Sequence, residues 1–235
     1  MKIGLFSDTH YCDRDIVNGD RKPKVAFARL GEALAEFKRN GVELVVCLGD
    51  LINYNGDIDE SRNSLAEISS LVRNSGLKCV CCMGNHDNEA FNHDDFAEIS
   101  QLQLSPFMCE DDKSRLIFLD ASYTTDGKPL TQEWNDWTEC YVPQAQLDWL
   151  KKQLDTDKHC SVFIHQILDE MLGDEDHTVC NADEINKILR DSGRVDNVFQ
   201  GHYHFGAEHT RDSIHYITLK AMCMGEENRF MIVEV

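Results

Sequence analysis

The chain of 235 residues carries a formal net charge of −19 at pH 7, and 42% of its residues are hydrophobic. This balance is typical of a soluble globular protein, and no apolar run approaches the roughly 18 residues that a membrane span requires. The negative charge disfavours a nucleic acid polymer as partner, because phosphate contacts need clustered Lys and Arg. A small anionic substrate is compatible with this charge if metal ions supply positive charge locally.

The amino terminus and the cysteines bear on the cellular location. The opening sequence MKIGLFSDTH contains an apolar run that is shorter than the roughly 7–15 residues of a signal-peptide core. The ten cysteines are scattered, and several lie within apolar runs typical of strands. We therefore expect a cytoplasmic protein with reduced thiols and no membrane contact. Because the sequence has no internal repeat or long linker, we expect a single domain over residues 1–235.

The first half of the chain alternates between predicted strands and helices. Segment 23–40 repeats apolar residues at helical spacing, begins with Pro23 and precedes Gly41, which predicts an amphipathic helix. Strands are predicted at residues 2–7, 44–48 and 78–82, and a second helix at residues 61–74. This alternation is typical of a βαβαβ unit with right-handed crossovers.

The second half continues the alternation and then changes character. Strands are predicted at residues 115–120, 160–164 and 195–200, and helices at residues 143–154 and 183–191. Further on, the sequence predicts a hairpin that turns at Asp212 and Ser213 and a final strand at residues 229–235. The expected fold is therefore α/β with a late antiparallel portion.

The least regular stretch is the segment 122–142, which carries Tyr123, Trp134, Trp137 and Tyr141. A loop of this length in a compact domain is either functional or disordered. Its aromatic side chains could stack on a base or sugar, or they could cover a hydrophobic edge. We favour the packing role and keep the binding role open.

Polar side chains with metal-binding or proton-transfer chemistry follow five of the predicted strands. Ligands of open α/β sheets bind beyond the carboxyl ends of the strands, so these five loops are expected to converge. One polar residue after a strand is usually a turn former, but five such loops are hard to produce by chance. The residues are Asp8 and His10, then Asp50, then Asn85, His86 and Asp87, then His165, and finally His202 and His204.

This set of side chains holds two carboxylates, one amide and four imidazoles that can bind metals, with no thiolate among them. Seven ligands exceed one tetrahedral zinc site. Mixed nitrogen and oxygen donors suit Mn, Fe, Zn or Co. A pair of ions about 3.5–4 Å apart that shares one carboxylate would use the whole set and is suited to phosphoryl transfer. We therefore predict two divalent or trivalent metal ions.

The ordered motifs DTH, GD, GNHD, H and GHYH resemble those of the calcineurin-like metallophosphoesterase family. The resemblance implies a four-layer αββα sandwich of two mixed β-sheets. It also implies a hydrolase in which a hydroxide between two metal ions attacks phosphorus in line. The implied ligands are Asp8, His10 and His204 for the first metal and Asn85, His165 and His202 for the second, with Asp50 bridging the two.

The same resemblance implies that His86 and Asp87 are catalytic. The imidazole of His86 would point at the phosphoryl group, where it stabilises developing charge or protonates the leaving oxygen. Such acid–base catalysis typically contributes about 10²–10⁴-fold to the rate. Asp87 is expected to accept a hydrogen bond from the His86 imidazole.

Departures from the common family motifs narrow the choice of branch. Asn53 stands where many members carry aspartate, and the arginine and glutamate of the protein phosphatase motifs are missing. The acidic composition disfavours the DNA-repair nucleases. The stretches DTHYCD, QLDWLKKQL and GHYHFGA are most similar to the manganese-dependent ADP-ribose and CDP-alcohol diphosphatases. A cyclic nucleotide or glycerophosphodiester phosphodiesterase is the alternative, and a non-catalytic interaction scaffold of the same fold is a minor one.

A nucleotide-type substrate would need contacts beyond the metals, and the residues near the strand ends are the candidates. They are Asn85, His86, Tyr11, Asn53, Tyr54 and Asn88. Arg21, Lys22 and Lys24 could attract a second phosphate, but a short basic cluster is typical of a solvated helix start. Five histidines without motif context are expected to be structural, namely His93, His159, His177, His209 and His215. The oligomeric state is left open.

Overall fold

The computed structural model describes residues 1–130 and 136–235. The strands are β1 (Lys2–Phe6), β2 (Leu44–Cys47), β3 (Cys79–Cys81), β4 (Gln103–Leu104), β5 (Phe107–Glu110), β6 (Ser114–Phe118), β7 (His159–Phe163), β8 (Val195–Gln200), β9 (Ala207–Arg211), β10 (Ile214–Thr218) and β11 (Met231–Glu234). The α-helices are α1 (Pro23–Arg39), α2 (Ile58–Asn74), α3 (Asn85–Ala90), α4 (His93–Ser100), α5 (Gln144–Leu154) and α6 (Ala182–Ser192), and two 3₁₀ helices span Glu170–Leu172 and Glu175–His177.

The strands form two mixed sheets. The first has the order β11-β1-β2-β3-β4, and the second has the order β5-β6-β7-β8-β10-β9. Strands β1 to β4 are parallel to one another, as are β6, β7, β8 and β10, whereas the edge strands β11, β5 and β9 are antiparallel to their neighbours. The predicted hairpin is confirmed, because β9 and β10 pair across Asp212 and Ser213.

Three apolar layers hold the sheets and helices together. Between the sheets, Leu5 and Val46 of the first sheet share a cluster with three stacked phenylalanines of the second. The ring centroids are 4.7 Å apart for Phe118 and Phe163 and 5.3 Å apart for Phe163 and Phe199. One outer cluster packs α1, α2 and α4 on the first sheet, and the other packs α5 and α6 on the second. The predicted four-layer αββα sandwich is therefore confirmed.

The helix boundaries differ from prediction where capping decides them. Helix α2 begins three residues earlier than expected, because the Asp57 carboxylate accepts hydrogen bonds from the backbone amides of Asp59 and Glu60. Helix α1 begins at Pro23 as predicted, since proline fits the first helical position.

The short elements α3, α4, β4 and β5 and the two 3₁₀ helices were not predicted. Helix α4 has few apolar residues, so its periodicity is weak, but the Asn92 side chain caps it by accepting from the Asp95 amide.

Trp134, one of the aromatic residues of segment 122–142, lies outside the described residues. Within residues 1–130 and 136–235, no helix has both the length and the apolar character needed to cross a membrane.

Candidate metal centre and active site

The parallel strands deliver the predicted metal ligands to one edge of the two sheets. Backbone hydrogen bonds tie the loops together directly after the strands. The Asp8 amide donates to the Gly49 carbonyl at 3.0 Å, and the His10 amide donates to the Asp50 carbonyl at 2.9 Å. In the second sheet, the Gly201 amide donates to the His165 carbonyl at 2.9 Å. The side chains are thus positioned by continuous backbone pairing with the strands.

Four of the predicted ligands have left-handed backbone conformations. The φ angles are 55° at Asp8, 45° at His10, 51° at Asp50 and 65° at His202. Such values are uncommon outside glycine and cost free energy, so they persist only where surrounding contacts impose them. The strain is concentrated at the strand ends, where the chain must turn sharply to bring its side chains inward.

Gly84 and Gly201 leave room for the carboxylates of Asp50 and Asp8. A Cβ atom on Gly84 would lie 2.5 Å from the Asp50 backbone nitrogen and 2.8 Å from its Cγ. A Cβ atom on Gly201 would lie 2.9 Å from Asp8 Oδ2. These approaches are closer than real Cβ contacts allow, so the glycines before Asn85 and His202 are required by packing against Asp50 and Asp8.

The first group of donor atoms surrounds the carboxylates of Asp8 and Asp50. His10 Nε2 lies 3.0 Å from His204 Nε2, 3.4 Å from Asp50 Oδ2 and 3.9 Å from Asp8 Oδ1. His204 Nε2 lies 3.5 Å from Asp8 Oδ1. Two nitrogens bound at about 2.1 Å and at right angles to each other on one ion are about 3 Å apart, so this spacing fits a shared metal.

The second group of donor atoms lies on the other side of Asp50. Donor atoms of Asp50, His165 and His202 all lie within 4.8 Å of one another. His165 Nε2 lies 3.4 Å from Asp50 Oδ2 and 3.3 Å from Asn85 Oδ1. Asp50 belongs to both groups, which is the arrangement that a bridging carboxylate requires.

Unsatisfied polar atoms show that these groups fit metal ions. Among the residues that the structure describes, Asp8 Oδ1, Asp50 Oδ2 and His202 Nε2 are buried and make no hydrogen bond. The second oxygen of each carboxylate does have a hydrogen bond. Asp50 Oδ1 accepts from the His86 amide at 2.9 Å, and Asp8 Oδ2 accepts from the His202 amide at 3.3 Å. Buried polar atoms without partners are costly unless they bind an ion.

The ionisation of the histidines agrees with a ligand role. Burial lowers the pKa of His10 and of His202, so both imidazoles are neutral at pH 7 and can bind a cation. Burial also opposes protonation of His165, but Asp50 outweighs it and raises the pKa of His165 to about 10. The His165 Nδ1 atom faces the Leu48 carbonyl at 2.7 Å, which leaves Nε2 for a metal, and metal binding displaces its proton.

A cavity of about 640 Å³ opens above the two groups. Its described lining is Asn18, Asp20, Arg21, Asp50, Asn85, His86, Glu89, Trp137, Asp174, His177, His202, Tyr203, His204, Phe205 and Met224. Four of these residues are acidic, and Arg21 is the one Lys or Arg among the described lining residues. Without metal ions, this wall repels a phosphate group, so metals must supply most of the attraction.

His86 lies on this cavity, but its predicted partner is wrong. The Asp87 carboxylate accepts from the backbone amides of Gly84 at 3.0 Å and Ile52 at 3.1 Å, which joins two strand-end loops. Burial raises the pKa of Asp87 to about 7. Glu89, one helical turn along α3, instead places Oε2 3.1 Å from His86 Nδ1. The spacing of three residues puts both side chains on one helix face, whereas the adjacent Asp87 points away.

Glu89 therefore takes the orienting position next to His86. Burial opposes protonation of His86, but the charges of Asp50 and Glu89 outweigh it and raise its pKa. With Nδ1 facing Glu89, the Nε2 atom is left on the side of Arg21, at 3.1 Å from its guanidinium. The imidazole of His86 is thus placed between the carboxylate of Glu89 and the guanidinium of Arg21.

Arg21 was expected to lie in a solvated helix start, but the structure places its guanidinium next to His10 and His86. Its Nη1 atom lies 3.1 Å from His86 Nε2, 3.4 Å from His10 Nδ1 and 3.3 Å from Asn53 Oδ1. The guanidinium thus reaches from the loop before α1 to both the metal ligands and the predicted acid. No local sequence pattern distinguishes it from Lys22 and Lys24, which pair with exposed carboxylates.

Aromatic and imidazole rings form the part of the cavity wall next to His202. His177 was predicted to be structural, but its ring centroid lies 4.8 Å from that of His202 and 5.1 Å from that of Trp137. Tyr203 continues the row at 5.4 Å from His177, and the exposed Phe205 follows at 5.6 Å from Tyr203. We call Trp137, His177, Tyr203 and Phe205 the aromatic wall. The position of Phe205 directly after GHYH is the signal that could have identified it.

The irregular segment 122–142 both packs and lines the cavity. Leu130, Cys140 and Val142 are buried in the core of the second sheet, as the packing prediction requires. Trp137, in contrast, faces the cavity and is 38% exposed. Both roles that the sequence allowed are therefore found within the described part of the segment.

The predicted substrate-binding residues lie in three different places. Tyr11 and Asn88 are buried, and neither is among the described lining residues of the main cavity. The Tyr11 hydroxyl donates to Glu67 at 2.5 Å, and Asn88 donates to the Gly84 carbonyl and Ser122 Oγ. Asn53 and Tyr54 line a second cavity of about 510 Å³ that shares His86 and Glu89 with the first. Asn85 and His86 line the main cavity.

Comparison with known proteins identifies the family. The model of the calcineurin-like phosphoesterase family matches residues 1–206. A dimetal phosphatase from Danio rerio superposes with a TM-score of 0.84 at 18% identity, covering 99% of this chain and 91% of that chain. The protein TT1561 of Thermus thermophilus gives 0.63 at 9% identity, covering 99% of this chain and 98% of that chain.

A third similar structure is the phosphopantetheinyl hydrolase of Mycobacterium tuberculosis, with a TM-score of 0.53 at 13% identity over 94% of this chain and 89% of that chain. The comparison with curated protein sequences finds no match. At these identities the structures support the fold, and the family model, which spans most of the chain, supports the family. The chain belongs to the calcineurin-like phosphoesterase family of metal-dependent phosphoesterases.

Proposed function

We propose that the protein hydrolyses a diphosphate or phosphodiester bond of a small nucleotide-type substrate, of the ADP-ribose or CDP-alcohol kind, with the help of two metal ions. In this proposal Asp8, His10 and His204 hold one ion, and Asn85, His165 and His202 hold the other, with Asp50 shared. Mn, Fe and Zn all suit these donors. When bound, the ions would neutralise phosphate charge and activate the attacking water.

The observation that carries the proposal is that Arg21 and His86 line the same cavity as the ligand groups and the aromatic wall. Arg21 Nη1 lies 3.1 Å from His86 Nε2, so both groups can contact the same phosphate oxygen region. A guanidinium suits a second phosphate because it presents several donors in a fixed plane. A diphosphate offers this cation a second phosphate beside the one on the metals, which a phosphomonoester lacks.

The residues of the chain divide the chemistry among themselves. Arg21 binds and orients the non-reacting phosphate. His86, whose Nδ1 lies 3.1 Å from Glu89 Oε2, delivers a proton to the leaving oxygen. Asp50 fixes the start of α3, from which His86 projects, since the His86 amide donates to Asp50 Oδ1 at 2.9 Å.

The aromatic wall gives the nucleoside part of the substrate a binding surface. Trp137 and Phe205 are 38% and 65% exposed, so both leave ring surface open to the cavity that they line. Planar bases stack on such rings with about 1–3 kcal/mol per base. A substrate with phosphates on the metals and a base on this wall would fill the cavity of about 640 Å³.

The test is product analysis by mass spectrometry after metal-stripped protein is reconstituted with Mn²⁺. ADP-ribose, CDP-choline, cyclic AMP and a phosphomonoester are supplied together at equal concentration. We expect AMP with ribose 5-phosphate, or CMP with phosphocholine, to form first, and the Asp50→Asn variant to form neither. Conversion of cyclic AMP alone would favour the phosphodiesterase alternative. No conversion of any substrate by the metal-loaded protein would contradict the proposal and favour a non-catalytic scaffold.

A further inference from the structure

The second cavity, of about 510 Å³, adjoins the main cavity at His86. Asn18, His86 and Glu89 line both cavities. The four residues of the aromatic wall line the main cavity, and none of them is among the described lining residues of the second cavity. A substrate whose base lies on the aromatic wall therefore reaches the second cavity with the part of the molecule that lies beyond its phosphates.

The lining of the second cavity is mostly polar. Apart from the three shared residues, the described lining is Arg14, Ile16, Val17, Asn53, Tyr54 and Asn55. With Asn18, three amide side chains thus line this space. An amide both donates and accepts hydrogen bonds, as a hydroxyl group does, so this lining suits a ligand with several hydroxyl groups. A quaternary ammonium group prefers a cage of aromatic rings, and Tyr54 is the one Phe, Tyr or Trp among the described lining residues.

Asn53 connects the second cavity to the guanidinium that is proposed to bind the second phosphate. It is 3% exposed, and its Oδ1 atom accepts from Arg21 Nη1 at 3.3 Å. Its Nδ2 atom donates to the Tyr54 carbonyl at 3.0 Å and to Asn55 Oδ1 at 2.9 Å. Because Asn53 contacts Arg21 directly, a group attached to a phosphate on Arg21 lies next to the second cavity.

Backbone hydrogen bonds hold the two loops that border the second cavity. Val17 and Arg21 exchange hydrogen bonds of 2.9 and 3.1 Å, which close the loop that carries Asn18. The Asn53 amide donates to the Tyr11 carbonyl at 3.1 Å, which fixes the other loop to the segment after β1. These bonds form without a ligand, so binding to this lining costs less conformational entropy than binding to unpaired loops would.

We propose that the second cavity binds the leaving group of the substrate and favours one with several hydroxyl groups, such as the sugar of a nucleoside diphosphate sugar. This inference rests on the proposed function and adds the orientation of the substrate. The base lies on the aromatic wall, the phosphate next to the nucleoside lies at the metal ligands, and the phosphate next to the sugar lies at Arg21.

This orientation decides which phosphorus atom reacts. The oxygen of water bonds to the phosphorus on the nucleoside side, while the bond from that phosphorus to the bridging oxygen breaks. The bridging oxygen leaves with the sugar phosphate and receives the proton that the proposed function assigns to His86. A proton of the water goes to solvent. The products are a nucleoside monophosphate and a sugar phosphate.

Two substrates that share the base and the diphosphate test the sugar site in the Mn²⁺-loaded full chain. They are ADP-ribose and the methyl ester of ADP on its terminal phosphate, which has no sugar hydroxyls at that end. We expect kcat/KM to be at least about ten-fold higher for ADP-ribose, since several hydrogen bonds are added. Equal values for the two substrates would overturn the sugar site and leave the proposed phosphohydrolase intact. No hydrolysis of either would overturn the proposed function and this inference with it.

Asn18→Gly removes one amide from the lining, and glycine tolerates the φ angle of 50° at this position. We expect kcat/KM to fall about five-fold for ADP-ribose and to stay unchanged for the methyl ester. The matched control is Asp212→Gly, which replaces an exposed residue with a φ angle of 53° in the turn between β9 and β10 and should behave as the wild type. An equal loss for both substrates in Asn18→Gly would overturn the sugar site.

Hydrolysis of ADP-ribose in H₂¹⁸O tests the orientation with the wild type alone. Mass spectrometry of the two products should find the heavy oxygen in AMP and none in ribose 5-phosphate. Heavy oxygen in ribose 5-phosphate would show that water attacks the phosphorus on the sugar side, which would overturn the orientation while the phosphohydrolase activity stands.

Discussion

On the metal side of the cavity, the functional side chains follow directly after β1, β2, β3, β7 and β8, and Asp8, His10, Asp50 and His165 are at most 1% exposed. The aromatic wall, which contacts His202, comes from irregular segments and a 3₁₀ turn, and Phe205 is 65% exposed. The first side is anchored by strand pairing and buried hydrogen bonds, whereas the second is built from turns whose rings contact one another. We infer that chemistry depends on the first side and substrate choice on the second.

The backbone supports this division. Left-handed φ angles occur at Asp8, His10, Asp50 and His202 on the metal side, where the sheets can impose them. Of the aromatic wall, none of the four residues has a positive φ angle. Substitutions on the metal side should therefore alter turnover or metal content, and substitutions in the aromatic wall should alter the preference among substrates. The following predictions test the division from the largest expected effect to the smallest.

The largest effect is expected for Asp50→Asn. Among the described residues, the Asp50 carboxylate is the donor common to the two groups, so an amide in its place weakens both metal positions. We expect turnover at background level and a reduced metal content by inductively coupled plasma mass spectrometry. The matched control is Asp174→Asn, which neutralises another acid on the cavity and should keep its metals. Equal loss in both variants would show that the cavity's charge, and not the bridge, matters.

His86→Ala should lower kcat by about 10²–10⁴-fold with unchanged metal content, since it removes the acid and leaves every proposed ligand in place. Glu89→Gln should cause a smaller loss, because the imidazole keeps its position on α3 but loses the charge that raises its pKa. The pH profile of kcat separates the two roles. In Glu89→Gln, the fall of kcat at high pH, where His86 loses its proton, should begin at a lower pH. An unchanged kcat in His86→Ala would remove His86 from the mechanism.

Arg21→Ala should raise KM for a diphosphate by about ten-fold, which corresponds to about 1.4 kcal/mol of lost charge-assisted hydrogen bonding. Lysine at this position restores the charge but not the planar donor set, so partial recovery is expected in Arg21→Lys. Lys24→Ala is the control, because Lys24 pairs with Asp13 and Asp15 at the surface. If Lys24→Ala raised KM as much as Arg21→Ala does, the effect would be long-range attraction and not contact.

The smallest effect is expected for Trp137→Ala. A stacked base contributes about 1–3 kcal/mol, and the partial exposure of Trp137 favours the lower end, so KM for ADP-ribose should rise about five-fold. A glycerophosphodiester without a base should be hydrolysed as by the wild type. Trp137→Phe should retain most of the binding. A similar KM increase for both substrates would show that Trp137 shapes the cavity and does not recognise a base.

The metal side was predictable because strand periodicity and residue chemistry act over short range. Each ligand follows an apolar strand, and parallel strands end at a common edge. The proximity of residues as far apart in sequence as Asp8 and His204 could therefore be predicted. The two-sheet sandwich itself came from the family resemblance, since alternation of strands and helices does not reveal where one sheet ends and another begins. Short elements such as α4 and β4 gave too weak a pattern to detect.

The aromatic wall and Arg21 were not predictable because their positions depend on tertiary contacts. His177 belongs to a 3₁₀ turn capped by Asp174, and the sequence DEDH gives no sign that this turn lies over His202. Arg21 sits in a loop whose path is fixed by the backbone hydrogen bonds between Val17 and Arg21 and between Lys22 and Cys223. The prediction that Asp87 contacts the His86 imidazole was wrong because α3 was not predicted. Helical spacing decides which acid lies next to His86, and it places Glu89 there.

Anomalous diffraction from crystals of the Mn²⁺-loaded protein tests the dinuclear centre most directly, because it locates each ion independently of any substrate. We predict two manganese peaks about 3.5–4 Å apart. The Asp50 carboxylate should lie between them, with Asp8, His10 and His204 at one peak and Asn85, His165 and His202 at the other. A single peak, or two peaks that do not share Asp50, would contradict the proposed centre.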